Sequence, residues 1–472
     1  MYIAALACAW IADPINCSPF GRMQGIFSVA GEISCLNAAT RIRPVADSTV
    51  PVPGNIAALF WLRRSGRLRL PCRDLLAPAI ALAQHGFTPN SALVTAVQDS
   101  SSKMSDDLRT IYLDESCTVR SFVRNPALSE LLQVLAVSES EDEFWRILRT
   151  RDPGPWRPGE TLDNPVSQVV PRTLNLIDGG GRAQRLLTTG NQETWGTWTL
   201  LGAAIAVELR NSGALDDFAR AMEAYVLSTI LLLDRIPFAV GSLQPKVSRP
   251  SVEVDIASEA ETIARRVVGL LDVSVKELWS ELGKTYFAGP GSHTDDANTN
   301  AFAIASGDDF LSFTTSIGPW FGSKRSWWGA ALGHSYAMKS GAFFEGQTHD
   351  VTEMSPLILE TAGCPQLAIG AAGSERILGA LTYLLFLRFG FGLGGDMANL
   401  ISMPRLFPKD GAIRIHPDFC HATRTHLEDR GFTLSPTGYQ YERHMGIVNL
   451  VERLDSRKYR SAADPSGSGG AL

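Results

Sequence analysis

The stretch from Asn298 to Ser323, NTNAFAIASGDDFLSFTTSIGPWFGS, carries the strongest chemical signal in the chain. It reads as a hydroxyl residue, Thr299, followed by two short strands and a glycine-bearing turn. A side-chain hydroxyl does acyl chemistry only when a base stands beside it. Ser316 adds a second hydroxyl on the face of the second strand. Gly370 to Ile377, GAAGSERI, forms a turn ahead of a helix, where free backbone N–H groups collect. Taken alone, Thr299 is a strand-edge threonine, Ser316 a polar strand residue and Gly373 part of a helix-start turn. The histidines do not cluster. His334 and His349 read as polar neighbours of this region, not as metal ligands, because ligand spacing is absent.

These residues need a frame. Phe302, Ile304, Leu311 and Phe313 alternate with small or polar partners, the period of half-buried strands, and Ser306 to Asp309 is the hairpin turn between them. Residues 52–87 give two helices, and residues 90–150 are mostly helical. Asp152 to Pro171 is proline-rich and reads as a surface connection. Helices are expected at about Leu200–Leu209, Ala214–Leu233, Ser258–Leu271, Ser374–Phe389 and Ala422–Arg430. Strands are expected at Leu357–Glu360, Gln366–Ile369, Ile413–Ile415 and Met445–Val451. Residues 284–298 have a loop composition, suited to a cleavage junction. The pattern by itself gives an α/β class.

The 472 residues, 45% hydrophobic and 19% charged, suffice for a large core. A net charge of −6 without a basic run argues against nucleic acid and anionic membrane as partners. Seven dispersed cysteines without CxxC spacing read as reduced thiols, and hence a cytoplasmic location. The apolar start MYIAALACAWIA lacks a basic leader and meets Asp13 early, so it reads as a buried helix. The run Leu378–Leu393 contains Arg388 and glycines and reads as a core helix. No cofactor is expected.

The segment FLSFTTSIGPWFGS resembles the small-subunit start of the γ-glutamyltransferase family, and VPGNIAALFWLRRSGRLRLPCRDLLAPAIALAQHGF resembles that family's V-P-G and P-A-I-x-L-A-x-x-G-F run. AALACAWIADPINCSPFGRMQGIF, the turn at Gly370–Ile377 and the closing AADPSGSGG extend the resemblance from about Ala4 to Gly470. The family's preceding strand and helix have no counterpart before Ala4. The resemblance implies a four-layer αββα sandwich of the N-terminal-nucleophile hydrolase type with added helices. It implies self-cleavage into regions 1–298 and 299–472, which would stay together as a heterodimer. Setting Phe302–Ala305 on the family's strand makes Thr299 the nucleophile; counting back from Phe321–Ser323 instead puts Asn298 there, and the protein would then be inactive. Ser316 falls on a threonine that bonds the nucleophile, and the N–H groups of Gly373 and Ser374 fall on the oxyanion hole.

The substrate-head positions are where the resemblance breaks. Asn37 stands where relatives carry a carboxylate-binding arginine, with Arg41 and Arg43 as nearby substitutes. Lys339 and Ser340 replace two acids. Gly318 replaces an asparagine, and Thr352-Glu353 replaces two serines, Glu353 being able to take an amine. An amino-acid head wants an arginine and an acid in fixed places. The leading expectation is therefore a hydrolase or acyltransferase of this family acting on an altered small-molecule substrate. A narrower form is carbon–carbon bond hydrolysis beside a keto group, as proposed for relatives in alkylproline antibiotic pathways. Ordinary γ-glutamyl (glutathione) hydrolysis or transpeptidation, and an inactive binding relative, are the alternatives.

Overall fold

The computed structural model describes residues 2–43, 48–66, 68–157, 159–177, 181–191, 193–236, 254–287, 297–340, 346–393, 396–409, 411–437, 445–465, 467 and 470–471. Its centre is two antiparallel sheets. The first is built from β1 (Arg22–Val29), β2 (Glu32–Ala38) and β3 (Ser167–Val169). The second begins with β4 (Pro171–Ile177) and β5 (Ala183–Thr189). The expected hairpin, β6 (Ala297–Ser306) and β7 (Asp309–Pro319), completes the first sheet in the order β3-β2-β1-β7-β6. A small hairpin follows, β8 (Ser326–Trp327) with β9 (Ala330–Ala331). Next, β10 (Leu357–Thr361) and β11 (Cys364–Ala372) join the second sheet. After an outlying sheet of β12 (Leu406–Lys409), β13 (Ala412–Ile415) and β14 (Leu434–Pro436), the chain returns as β15 (Ile447–Arg453) and β16 (Tyr459–Ala463). The second sheet then runs β16-β15-β11-β10-β5-β4.

The period-2 alternation of each strand decides what lies between the sheets. Ile26, Cys35, Phe310, Ile358, Ala368 and Val451 meet there as an apolar centre. The opposite face of the first sheet sends Met23, Phe27, Leu36 and Phe313 into a core with helices Tyr2–Ala12, Asn55–Arg64, Cys72–His85 and Pro126–Val137. The outer face of the second sheet packs on Gly196–Asn211, Phe218–Arg235, Ile256–Leu271 and Arg376–Leu385. The result is the αββα sandwich. Strands on both sides of residue 298 share the first sheet, so regions 1–298 and 299–472 interleave.

Several expectations need adjusting. The helix Val275–Phe287 takes in residues 284–287 of the expected loop, and 288–296 lie outside the described residues. The proline-rich connection ends in β3, paired to β2, and β4 and β5 follow it. Met445 precedes β15 instead of opening it. The helix expected to 389 ends as α-helix at Leu385 and continues as a π-helical turn over Phe386–Gly390. Among the described residues no helix is long and apolar enough to cross a membrane.

Candidate functional site

Toward one end of the sandwich the inner face turns from apolar to polar. Continuing the alternation from Ile26 and Phe310, it carries Gln24 and Arg22 on β1, Ser312, Thr314 and Ser316 on β7, and Asn37 beyond Cys35 on β2. On β6 the hairpin is regular from a two-residue turn, Gly307-Asp308, back to Asn300, which pairs with Thr315. Asn298 then pairs with Gly318, so Thr299 alone faces both Ser316 and Ile317. This is a bulge, a device that re-aims a side chain at sheet edges and active sites.

The bulge directs Thr299 across the gap to the second sheet, where its Oγ1 accepts a hydrogen bond from the Gly373 N–H at 2.9 Å. The sheets can approach this closely because a Cβ on Gly370 would already lie 3.2 Å from that of Ala301. Beyond β11 the backbone turns with φ of +122° at Gly373 and +59° at Ser374, both in the left-handed half of conformational space. A nonglycine residue there carries strain of the kind found at functional turns. The turn is held from two sides. Arg376 donates through Nε to the Gly373 carbonyl at 2.6 Å, and Ser374 Oγ donates to Glu353 Oε1 at 2.9 Å. Glu353 is buried, and burial lifts its carboxyl to about 6 against the opposing pull of its own N–H, Arg22 and Ser374.

On the outer side, Asn300 fixes the next residue of the strand. Its Nδ2 donates to Asp13 Oδ2 at 2.6 Å, and Asn16 donates to the same carboxylate. A cavity of about 300 Å³ opens here, walled by Thr299, Gly373, Asp13, Trp320 and Asn449 among others. The nucleophile candidate and the turn donor therefore share a space of small-molecule size.

Other expected residues divide into those near this centre and those apart from it. Ser316 pairs with Arg22 across β1 and β7, and its Oγ accepts from the Gly318 N–H at 3.0 Å. Gly318 has φ +93° and packs against His334. Asn37 accepts from Gln24 at 2.7 Å and donates to Glu193 at 3.3 Å. Thr352 is buried, and its N–H donates to the Glu193 carbonyl at 2.7 Å. Lys339 is exposed on the short helix Tyr336–Ser340 and acts at a distance. Burial first, and then the charge of Lys339, hold the His334 imidazole down at about 4. The Ser340 side chain lies outside the described residues. Arg41 holds the carbonyls of Thr161 and Asp163, and Arg43 grips Glu160 through two bonds of 2.5 and 2.6 Å. His349 bonds Asn164 and Thr348. Among the described residues no three His, Cys, Asp or Glu side chains gather as a metal site.

Two charged residues escaped the sequence reading. Arg22 is 4% exposed, and its Nη1 stands 3.6 Å from Asp350. Asp350 is fully enclosed, takes hydroxyl hydrogen bonds from Thr40 and Ser335, and is pushed upward in pKa by burial. The signal for Arg22 was available in the alternation itself, since Arg22, Gln24, Ile26 and Ser28 form one face of a strand whose other face holds Met23 and Phe27.

A two-sheet core between helical layers, with a hydroxyl near the head of an edge strand facing a glycine turn, is the N-terminal-nucleophile hydrolase fold. The family model for gamma-glutamyltranspeptidase matches residues 35–146 and 260–472, well over half of the chain, and the chain belongs to that family. No curated protein matches the sequence. Among solved structures it is similar to cephalosporin acylase from Bacillus halodurans, with a TM-score of 0.71 and 16% identity over 99% of this chain and 90% of that one. It is also similar to LmbA2991HD, with a TM-score of 0.69 and 16% identity over 98% of this chain and 92% of that one. At such identity the likeness speaks for the fold.

Proposed function

We propose that the protein is a hydrolase or acyltransferase that cleaves itself between Asn298 and Thr299 and then uses Thr299 as an N-terminal nucleophile. The observation that carries this reading is the 2.9 Å hydrogen bond from the Gly373 N–H to Thr299 Oγ1. Thr299, not the residue before it, has its hydroxyl at the turn. Cleavage gives Thr299 a free α-amine, which takes the hydroxyl proton as Oγ1 attacks the substrate carbonyl. The N–H groups of Gly373 and Ser374 then stabilise the negative oxygen that develops. The amine returns the proton to the leaving group, and water or an amine releases the acyl group from Thr299. The two products, residues 1–298 and 299–472, stay together because their strands share a sheet.

The substrate differs from a γ-glutamyl compound in this reading. Asn37 is neutral and already engaged with Gln24 and Glu193, and Lys339 is exposed. The likeness of fold to cephalosporin acylase and LmbA2991HD is in keeping with a family member of altered substrate. Hydrolysis of a carbon–carbon bond beside a keto group is a second reading supported by the same loss. There Thr299 would form the ester while the bond electrons and a proton pass to the carbon leaving group.

The test is the intact mass of freshly purified protein under denaturing conditions. Two fragments meeting at Asn298/Thr299 are expected, with a single chain for Thr299→Ala. A wild-type chain that stays whole, and that gains no mass from a reactive acyl donor, rejects the reading.

A further inference from the structure

The proposed cut at Asn298/Thr299 needs a base that the finished enzyme does not supply. Before the bond breaks, the Thr299 nitrogen is an amide, which takes no proton from a hydroxyl. The α-amine that serves in acylation is a product of the cut. A precursor that cleaves itself at a useful rate draws on another proton acceptor near Thr299 Oγ1.

The cavity beside Thr299 contains one. Among the described residues that wall it, Asp13 is the single ionisable side chain. Asp13 follows the helix Tyr2–Ala12. Its carboxylate is held by Asn300, the residue after Thr299, at 2.6 Å, and by Asn16 at 3.1 and 3.2 Å. Glu353, the other acid beside the turn, takes the Ser374 hydroxyl at 2.9 Å and is not part of this wall.

The space that Asp13 and Thr299 share is polar. Asn16 and Asn449 also wall it, and each has its Oδ1 buried without a partner. Chemistry settles which way the two amides point: Asn16 turns its Nδ2 to the Asp13 carboxylate, and Asn449 donates through Nδ2 to the Ala301 carbonyl at 2.8 Å. Two fixed acceptors therefore remain, and water satisfies such groups in a polar cavity of this size. The leaving nitrogen opens to the same side. β6 is the last strand of its sheet, Asn298 and Asn300 pair with β7, and the Ala301 carbonyl meets Asn449. Backbone groups two residues apart point to the same edge of a strand, so the Thr299 nitrogen shares the free edge with that carbonyl.

We infer that Asp13 carries the proton in self-cleavage, acting through water in this cavity. It takes the Thr299 hydroxyl proton as Oγ1 attacks the carbonyl carbon of Asn298. The proton passes to the Thr299 nitrogen as the C–N bond breaks, which leaves an ester between residue 298 and Oγ1. Water then hydrolyses the ester to the carboxyl group of residue 298 and the free hydroxyl of Thr299. From that point the new amine is the base for substrate. The inference rests on Thr299 being the nucleophile.

The experiment makes the full chain in a short pulse of cell-free synthesis and follows its conversion to two fragments by mass, for the wild type, Asp13→Asn, Asp13→Glu and Asp13→Ala. Asparagine keeps an oxygen for Asn300 but takes no proton, so Asp13→Asn should cut at least about a hundredfold more slowly, within the range of a lost general base. Asp13→Glu should keep a substantial part of the wild-type rate. Sodium formate, a carboxylate small enough for the cavity, should restore cutting to Asp13→Ala in proportion to its concentration. A purely structural Asp13 gives the opposite pattern: Asp13→Asn cuts within about threefold of the wild type, and Asp13→Ala does not respond to formate. Either of these results overturns the inference. If the wild type itself stays whole, the nucleophile assignment falls first and this inference with it.

Discussion

Replacing Gly373 by alanine tests the turn that faces Thr299. At φ +122° a side chain is strained wherever it points, at a cost of about 1–3 kcal/mol. The added Cβ would also lie 3.2 Å from Gly446 Cα and 3.4 Å from Arg376 Nε. The first of these is backbone and cannot swing away. The strain is relieved by rotating the peptide that carries the Gly373 N–H, which turns the donor off Thr299 Oγ1. Loss of one donor of this kind costs about 10²–10³ in rate. Gly373→Ala should therefore fold with stability reduced by about 1–3 kcal/mol, and acylate at least about a hundredfold more slowly. The assay follows the mass of residues 299–472 after mixing with a reactive donor, with a urea titration of the same sample. A variant destabilised as expected but acylated at the wild-type rate refutes the role given to this N–H, since the strain would then have been absorbed without moving it.

Two further outcomes concern stability. Glu353 has its carboxyl raised to about 6 by burial, above the ordinary glutamate value near 4.3. The folded protein thus holds a proton that the unfolded chain has released. Its contribution is fully present below about pH 4.3 and is lost as the pH rises through about 6, a change of about 2 kcal/mol. Glu353→Gln should remove this slope, so urea midpoints of wild type and variant should diverge between about pH 4.5 and 7, with the variant relatively more stable at the upper end; parallel curves count against a buried, titrating Glu353. Phe313 is fully buried and stacks on Phe302 at 4.5 Å, so Phe313→Ala should lose about 3–5 kcal/mol by urea denaturation; a loss below about 1 kcal/mol would mean the hairpin packs differently.

Much of the frame was legible because its signals are local. The alternation of Phe302, Ile304, Leu311 and Phe313 marked β6 and β7, and the glycine turn at 307 fixed their register. The helices of residues 52–87 followed from their apolar spacing and from Pro53-Gly54. β1 and β2 were missed as strands for a physical reason. Their inner residues pass from Ile26 and Cys35 to Gln24, Arg22 and Asn37, so the apolar pattern fades as the strands approach the site. Their turn, Ala30-Gly31, has positive φ at both residues but lacks the Asn or Asp that usually marks such a turn. β4 and β5 were hidden because exposed residues occupy much of β4. In the candidate site, the facing of Thr299 and the turn at Gly373 was legible, because a strand start and a helix-start glycine turn are both marked by local sequence. Lys339 was singled out by its place in an aligned segment, and such a place carries no information about which way an exposed helix turns it.

The departures from the family pattern at 37 and 353 and the survival of the frame have one explanation in the sandwich itself. Between the sheets, the apolar centre of Ile26, Phe310, Ile358 and Ala368 supplies cohesion without depending on what lies at the polar end. Thr299 and Gly373 are fixed by backbone features, a bulge on one sheet and a left-handed turn on the other. Neither feature requires a particular residue at 22, 37 or 353. Those positions lie on strand faces or in a loop leading into β10, where a side chain changes identity while the backbone register stays the same. A guanidinium at 22 does carry a desolvation cost, and Asp350 offsets only part of it across 3.6 Å. The guanidinium is tolerated there because the cohesion of the sandwich comes from the apolar centre and not from the polar end.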